Sequence, residues 1–460
     1  MKKLIGNREF YKLVATLAIP LLLQNTVSTF VNLLDNLMVG QIGTEQMSGV
    51  SIVNQILFVV NLCIFGGVGG SGIFGAQFHG RGDSKGVRYT LRFNIWMCAG
   101  VTALACLLLS LADDMLIGSF LHDSDSTGDL AATLEYGKQY LRIMLWSLPP
   151  FALTNAYVGV LRSTGDTRLP MVASVTAVLV NLVFNYILIF GKFGAPALGV
   201  EGAAIATTLS RYVEVGIILL RVHTRTEHHP FAKDAYKSLR IPGDLVRKIT
   251  VQGMPLLFNE LMWSLGQTML LQAYSVRGLD AVAAMNIANV VSNLFFIMLH
   301  TMGGCVGIIL GNLLGAGEFE KAKSYCPKLM ALSSVLCGMM GLLLFVTAPW
   351  IPTLYNTSTD VMTLASGVMR VTGYMLPIMA LTNCSYFTIR AGGRTGVTIL
   401  FDSVYSWVVF VPVAMLLSHK TALGLVSMFA LVQGLEGIKA VIGLWLVKKG
   451  IWVRNIVSNV

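Results

Sequence analysis

Three carboxylates, Asp35, Glu260 and Asp402, stand inside long apolar stretches, and none has an opposite charge three or four positions away. A charged acid at the centre of a bilayer costs ~2.5–3.5 kcal/mol on insertion scales. Acids kept there bind an ion or a proton, counter a cationic ligand, or sit protonated in a hydrogen-bonded network. Two other pairs, Arg211 with Glu214 and Glu436 with Lys439, are three apart. On one helical face such neighbours neutralise each other, which makes them structural pairs first. Polar stripes accompany the acids. Asn25, Ser28, Asn32 and Asp35 share one helical face, as do Glu260, Ser264 and Gln267. Asn286, Asn289, Asn293 and His300 line another, and Asn181 and Asn185 are one turn apart. Unpaired polar groups facing lipid cost several kcal/mol. These stripes are therefore expected to face other helices or a water-filled cleft, and their number in related positions favours the cleft.

The elements that must carry them are membrane helices. Of the 460 residues 55% are hydrophobic and 12% charged, against about a quarter charged in soluble proteins. That excludes a soluble body, a disordered chain, a coiled coil and a disulfide scaffold. The mean hydropathy of +0.69 and the length suit about a dozen spans. Hydropathy predicts them near 13–38, 48–76, 91–112, 136–160, 169–190, 201–221, 250–275, 283–312, 326–350, 363–388, 396–417 and 422–447. Lys2, Lys3 and Arg8 before the first span resemble a signal peptide, but no small-residue cleavage site follows, so a retained helix is expected.

Most of the 33 basic residues fall on one side of this arrangement. They include Arg81, Lys85, Arg88 and Arg92, the polar run 223–247, and Lys448, Lys449 and Arg454. The loop 113–135 on the other side is acidic. The positive-inside rule then puts both termini in the cytoplasm of a multi-pass cell-membrane protein. The net charge of +10 belongs to these loops and implies no nucleic acid.

The two halves echo each other. Pro20 pairs with Pro255, Gly43 with Gly278, Gly69 with Gly304, Gly80 with Gly315, Gly82 with Gly317, and Asp83 with Glu318, all at one offset. Two repeats of six spans each imply bundles related by an axis along the membrane normal, a transporter architecture. The division expected is 1–222 and 248–460 as the bundles, with 223–247 as a cytoplasmic linker. Gly67-Val-Gly69-Gly-Ser-Gly72 mimics a dinucleotide fingerprint but lies in an apolar span with no strand before it. Gly303, Gly307, Gly311 and Gly315 instead form a ridge for close helix packing or a sliding surface. Pro20, Pro255, Pro377 and Pro412 shape or hinge their helices. The seven cysteines read as small packing residues.

These features resemble the MATE family of multidrug and toxin extrusion proteins, in particular its bacterial NorM-like and DinF-like members. The likeness runs through Leu17-Ala-Ile-Pro20, Asp35-Asn-Leu-Met-Val-Gly40, Gly43-Thr-Glu45 and Gly80-Arg-Gly-Asp83. It continues in Leu161-Arg-Ser-Thr-Gly-Asp-Thr167, in the stretch from Asn181 to Gly191, and in Pro255-Leu-Leu-Phe-Asn259-Glu260. The resemblance implies an all-α integral membrane fold of twelve helices, in two pseudo-symmetric six-helix bundles around a central cleft. It implies a Na⁺- or H⁺-coupled antiporter with no cofactor, exporting small cationic or amphipathic drugs and toxins by alternating access, as a monomer among membrane lipids. Asp35 and Glu260 match the family's acids of the first and seventh helices, and Asn181 a cation-site Asn. Asn185 stands where many members have Asp. The tenth-helix Asp of NorM-like members is absent around Met379, which leaves Asp402 as a substitute. Asp35, Glu260, Asp402, Asn181 and Asn185 are thus the expected coupling residues, with Na⁺ near Glu260 or Asp35 as the only metal to consider. Asn25, Asn32, Gln267, Asn286, Asn289, Asn293 and His300 are expected to line the substrate cleft.

A flippase for lipid-linked saccharides would share this architecture, but its cleft would need cations for phosphate, where this chain carries acids. A membrane enzyme would need a nucleophile, metal cluster or His–acid pair, and neither His122 nor His300 has such neighbours in sequence. A channel does not suit duplicated bundles.

Overall fold

In the computed structural model, which describes residues 4–120 and 130–458, the chain is helical throughout, with no strand among the described residues. Twelve long helices follow one another. They are α1 (Arg8–Gly40), α2 (Thr44–Gly80), α3 (Ser84–Leu111) and α4 (Leu130–Ser163). Then come α5 (Arg168–Phe190), α6 (Gly199–Thr224), α7 (Gly243–Ser275) and α8 (Leu279–Gly315). The last are α9 (Phe319–Thr347), α10 (Thr359–Ala391), α11 (Thr395–Lys420) and α12 (Leu425–Lys448). Eleven of them are long and apolar enough to cross a membrane. The other is α7, whose first turns carry Asp244, Arg247, Lys248 and Gln252 and whose middle carries Asn259 and Glu260. Those polar side chains dilute its hydropathy without shortening it. Of the acidic loop 113–135, a short helix at Asp113–Gly118 is described. His122 lies outside the described residues.

Local chemistry sets the helix ends. Asp83 caps α3, its Oδ1 accepting from the Gly86 amide at 2.9 Å. Ser358 does the same for α10 through the Val361 amide at 3.3 Å. Gly191 closes α5 in the left-handed conformation, φ 64°, which costs glycine nothing. The Arg168–Phe190 and Gly199–Thr224 helices it separates then pack side by side.

The residues divide into two compact units. One holds Met1–Leu22, Ala76–Gly82 and Lys248–Val460; the other holds Leu23–Gly75 and Asp83–Arg247. In the first, α8 packs against α9 and α10, and α10 against α12. Its cores include Leu299, Leu344, Leu376 and Phe410 in one cluster and Phe10, Met302, Leu314 and Trp452 in another. In the second, α3 packs on α4 and α4 on α6. Outward faces carry Leu, Phe and Trp, as a lipid-facing surface requires.

The end of α2 belongs to the first unit because of the repeated glycines. A Cβ on Gly80 would overlap the backbone of Asn312, and one on Gly315 would overlap that of Gln77. A Cβ on Gly311 would crowd the Ala76 methyl group. The two helix ends thus cross backbone to backbone with reciprocal contacts, and each turns off through a left-handed glycine, Gly82 at φ 78° and Gly317 at φ 76°. The glycine ridge is a close-packing surface. The C-terminal segment covers this crossing. The Gln77 amide donates to the Ala391 and Arg454 carbonyls at 2.9 and 3.2 Å and accepts from the Ile456 amide at 2.8 Å. Asn455 Nδ2 donates to the Gly315 carbonyl at 3.1 Å, and Trp452 is buried.

The run 223–247 is bound to the second unit. The buried Arg92 of α3 donates to the carbonyls of Ala235, Arg240 and Asp234 at 3.0, 3.1 and 3.0 Å. Arg88 reaches Phe231, and Trp96 reaches Leu239. His229 stands 3.7 Å from Asp166, and burial holds its imidazole below the usual histidine range.

Candidate functional site

Each unit holds a largely buried polar cluster that contains acids singled out in the sequence. In the second unit, Asp35 of α1 meets α5. Asn185 Nδ2 donates to Asp35 Oδ1 at 2.7 Å. Asn181, one turn earlier and buried like Asn185, sets its amide against both carboxylate oxygens and against Thr207 Oγ1 of α6. The orientation of that amide is fixed by chemistry rather than by atom positions. With its nitrogen toward Asp35 it donates to both oxygens at 2.9 Å while its oxygen accepts from Thr207 at 3.2 Å. With its oxygen toward Asp35 the nitrogen donates to Thr207 at 3.2 Å, and the carboxyl must then supply the proton. One set of heavy-atom positions therefore satisfies both the charged and the protonated acid. Thr207 was not visible in the sequence, since it lies on another helix with nothing periodic to mark it. The Arg211–Glu214 pair forms at 3.3 Å on α6, with the guanidinium over the Phe151 ring. Asn25 is half-buried on α1, and the side chain of Asn32 lies outside the described residues.

In the first unit the cluster joins α7, α10, α11 and α12. Asp402 is not the isolated acid its sequence neighbourhood suggests. Lys439 Nζ of α12 lies 2.7 Å from its Oδ1, and Asn259 Nδ2 of α7 donates to its Oδ2 at 3.0 Å. Spacing along one helix cannot reveal a partner on the next. Glu436, expected to neutralise Lys439, is the more distant acid at 4.0 Å. Ser403 Oγ donates to Asn259 Oδ1 at 2.6 Å, and Tyr386 stands 3.4 Å from Asn259 Nδ2. Glu260, half-buried, lies within electrostatic reach of Arg390 and Asp402. Gln267 on α7 and Asn286, Asn289, Asn293 and His300 on α8 are exposed, so the α8 stripe is an uncovered polar face. His300 Nδ1 stays within 2.9 Å of the Phe296 carbonyl of its own helix.

Among the described residues no group of three or more His, Cys, Asp or Glu could hold a metal ion. What the Asp35 cluster can do chemically is exchange a proton or a monovalent cation; at Asp402 the ammonium of Lys439 already stands beside the carboxylate.

The MatE family model matches residues 20–187 and 255–416, the two repeats in turn. The chain belongs to the MatE family. It is a multi-span secondary transporter and not an enzyme. It is similar to the "Probable multidrug resistance protein NorM" of Thermotoga maritima, 25% identical over 420 residues, 91% of this chain and 88% of that one. It is likewise similar to the "Probable multidrug resistance protein YoeA" of Bacillus subtilis, 26% identical over 419 residues, 89% of this chain and 88% of that one. Among solved structures, a MATE protein in complex with MaD3S matches with a TM-score of 0.85 at 20% identity, covering 98% of this chain and 97% of that one. That likeness shows the twelve-helix MATE fold.

Proposed function

We propose that this MatE transporter is an antiporter that exports small cationic or amphipathic organic compounds in exchange for an inward-moving cation. The relatives named as multidrug resistance proteins support the export of drugs and toxins. The exposed amides of α8 and Gln267 of α7 offer uncharged hydrogen-bonding groups on open helix faces, and the acids offer charge. Faces so lined attract cations without demanding one shape, which disfavours a phosphate-carrying flippase.

The observation that carries the coupling is the Asp35–Asn181–Asn185 cluster. Charged Asp35 takes hydrogen bonds from both asparagines; protonated Asp35 donates to Asn181, whose amide turns over toward Thr207. Turning one buried amide reads the protonation state. Only a difference in proton affinity between inward- and outward-facing forms is needed for exchange. A proton is therefore the coupling ion this cluster fits, with Na⁺ as the alternative.

Inside-out vesicles loaded by a fluorescent cation, with pH and Na⁺ gradients imposed separately, test the reading. The pH gradient alone is expected to drive accumulation, and Asp35→Asn is expected to abolish it while leaving inserted, folded protein. Accumulation driven only by Na⁺ would reassign the ion. Gradient-driven transport by Asp35→Asn would remove the cluster from coupling.

The same reading places both termini and 223–247 in the cytoplasm. Phe10 at the start of α1 packs on Tyr325 at the start of α9, ring centroids 5.2 Å apart. The C-terminal segment covers the ends of α2 and α8 in the same unit. Both termini thus gather with helix ends whose flanks are rich in Lys and Arg, the side the positive-inside rule assigns to the cytoplasm.

A further inference from the structure

The cluster around Lys439 has the composition of a cation cage. Its ammonium lies 5.5 Å from the centroid of the Phe401 ring and 5.8 Å from that of Phe410. It also lies 2.7 Å from Asp402 Oδ1 and 4.0 Å from Glu436 Oε1. Two aromatic faces and two carboxylates are what a desolvated monovalent cation requires. In an ordinary α-helix Phe401 and Phe410 would point about 180° apart, at ~100° per residue. They reach one ammonium because α11 winds as π-helix over residues 400–404 and 406–410, a distortion common at functional sites. The side chain of Lys439 is 8% exposed and that of Glu436 13%. Two acids face one ammonium, and Glu436 Oε2 is buried without a hydrogen-bond partner among the described residues.

We infer that Lys439 is a covalently tethered occupant of a monovalent-cation site in the C-terminal repeat, and that it determines specificity by closing that site to Na⁺ and to free alkylammonium ions. The four carbons of the side chain hold the ammonium where a dissolved cation would otherwise neutralise Asp402 and Glu436. Removing the tether leaves two carboxylates, two ring faces and the volume of the side chain. The inference deepens the cation-coupled reading, since it leaves the Asp35 cluster as the site where a soluble ion exchanges. Its test reads stability and not flux, so the two fail separately.

Purified Asp35→Asn protein, with the other cluster neutralised, is melted in NaCl, methylammonium chloride and choline chloride at equal ionic strength. With Lys439 present the three melting temperatures are expected to coincide. Lys439→Ala in the same background is expected to melt lower in choline and to recover in a saturable way with methylammonium or Na⁺. Asp402→Asn/Lys439→Ala, which removes both charges of the close pair, is expected to lose most of that recovery. Should Lys439→Ala not survive purification in choline, the reading is its yield of monodisperse protein in each salt, expected to rise with Na⁺ or methylammonium. A Na⁺-dependent rise with Lys439 in place would overturn the inference, because the cage would then be open. Melting or recovery of Lys439→Ala that is the same in all three salts would also overturn it, leaving an ion pair of structural use only.

Discussion

Glu260 shows what a single side chain contributes beyond its charge. It lies beside the Asp402–Lys439–Asn259 cluster without entering its hydrogen bonds as described, and Arg390 is the guanidinium within electrostatic reach. A carboxylate so placed adds negative potential to the face that Gln267 shares, and cationic ligands are drawn to it. Glu260→Gln keeps the shape and removes the charge. It is expected to fold and insert, and to lose gradient-driven export of a cationic dye by about tenfold or more, the effect of ~1.4 kcal/mol of lost attraction. Glu260→Asp keeps the charge and is expected to retain part of the activity. Vesicle uptake of the dye measures both, and equal uptake by Glu260→Gln and wild type would remove this acid from the pathway. The residue scale also marks how far spacing alone carries. Arg211 with Glu214 and Asn181 with Asn185 are neighbours on one helix, and periodicity found them. Asp402 with Lys439, Asn259 with Ser403, and Asn181 with Thr207 join different helices, and nothing in the spacing of one helix encodes the rotation of the next.

At the scale of elements, the segment 223–247 is read from composition as a solvated linker, and the structure ties it to α3. Composition reports that it is polar; it does not report that Arg92 spends its whole guanidinium on three carbonyls of that segment. The planar fork of arginine matches three fixed acceptors, and a lysine cannot reproduce it. Hydrogen bonds to a charged donor contribute about 1.5–3 kcal/mol each. Arg92→Lys is therefore expected to cost about 3 kcal/mol of local stability and to speed amide exchange near residues 234–240 by roughly a hundredfold, with transport helices unchanged. His229 adds a pH dependence to the same element. Burial lowers its folded pKa below the ordinary value of 6.5, and Asp166 opposes that only in part. The unfolded segment then binds the proton more readily than the folded one, so stability is complete above about pH 6.5 and is lost as pH falls from there toward the lower folded value. Amide protection in 225–240, taken relative to the intrinsic exchange rate at each pH, is expected to fall between pH 7 and pH 5, and His229→Gln is expected to flatten that fall. An unchanged pH profile in His229→Gln would assign the effect to another group.

The whole molecule repeats its own first two helices, and the repeat explains why some of the fold was legible and some was not. Equal offsets between Gly80 and Gly315 and between Gly82 and Gly317 showed that two segments are alike. They did not show that the two segments cross each other with reciprocal backbone contacts, nor that residues 450–458 lie over the crossing. Close approach needs glycine on both chains at once, and a sequence shows each glycine separately. The crossing has a consequence for topology. Helix ends in backbone contact lie at one depth, so the ends of α2 and α8 and the C-terminal segment share one membrane face within that unit. The linker after α6 is joined to the start of α3, which follows α2 through the short loop at Gly82. Crossing the membrane with each helix in turn then puts the turn between α5 and α6 on the opposite face, where Phe193 is 90% exposed at φ 56°. With the basic flanks inside, Phe193→Cys is expected to react with an impermeant maleimide added to intact cells, and Ser238→Cys in the linker only after the membrane is opened. Cys63 and Cys106, the two native thiols that are not fully buried, are first replaced by alanine so that the added thiol reports alone. Labelling of Ser238→Cys from outside, with Phe193→Cys protected, would invert the orientation and with it the direction of transport.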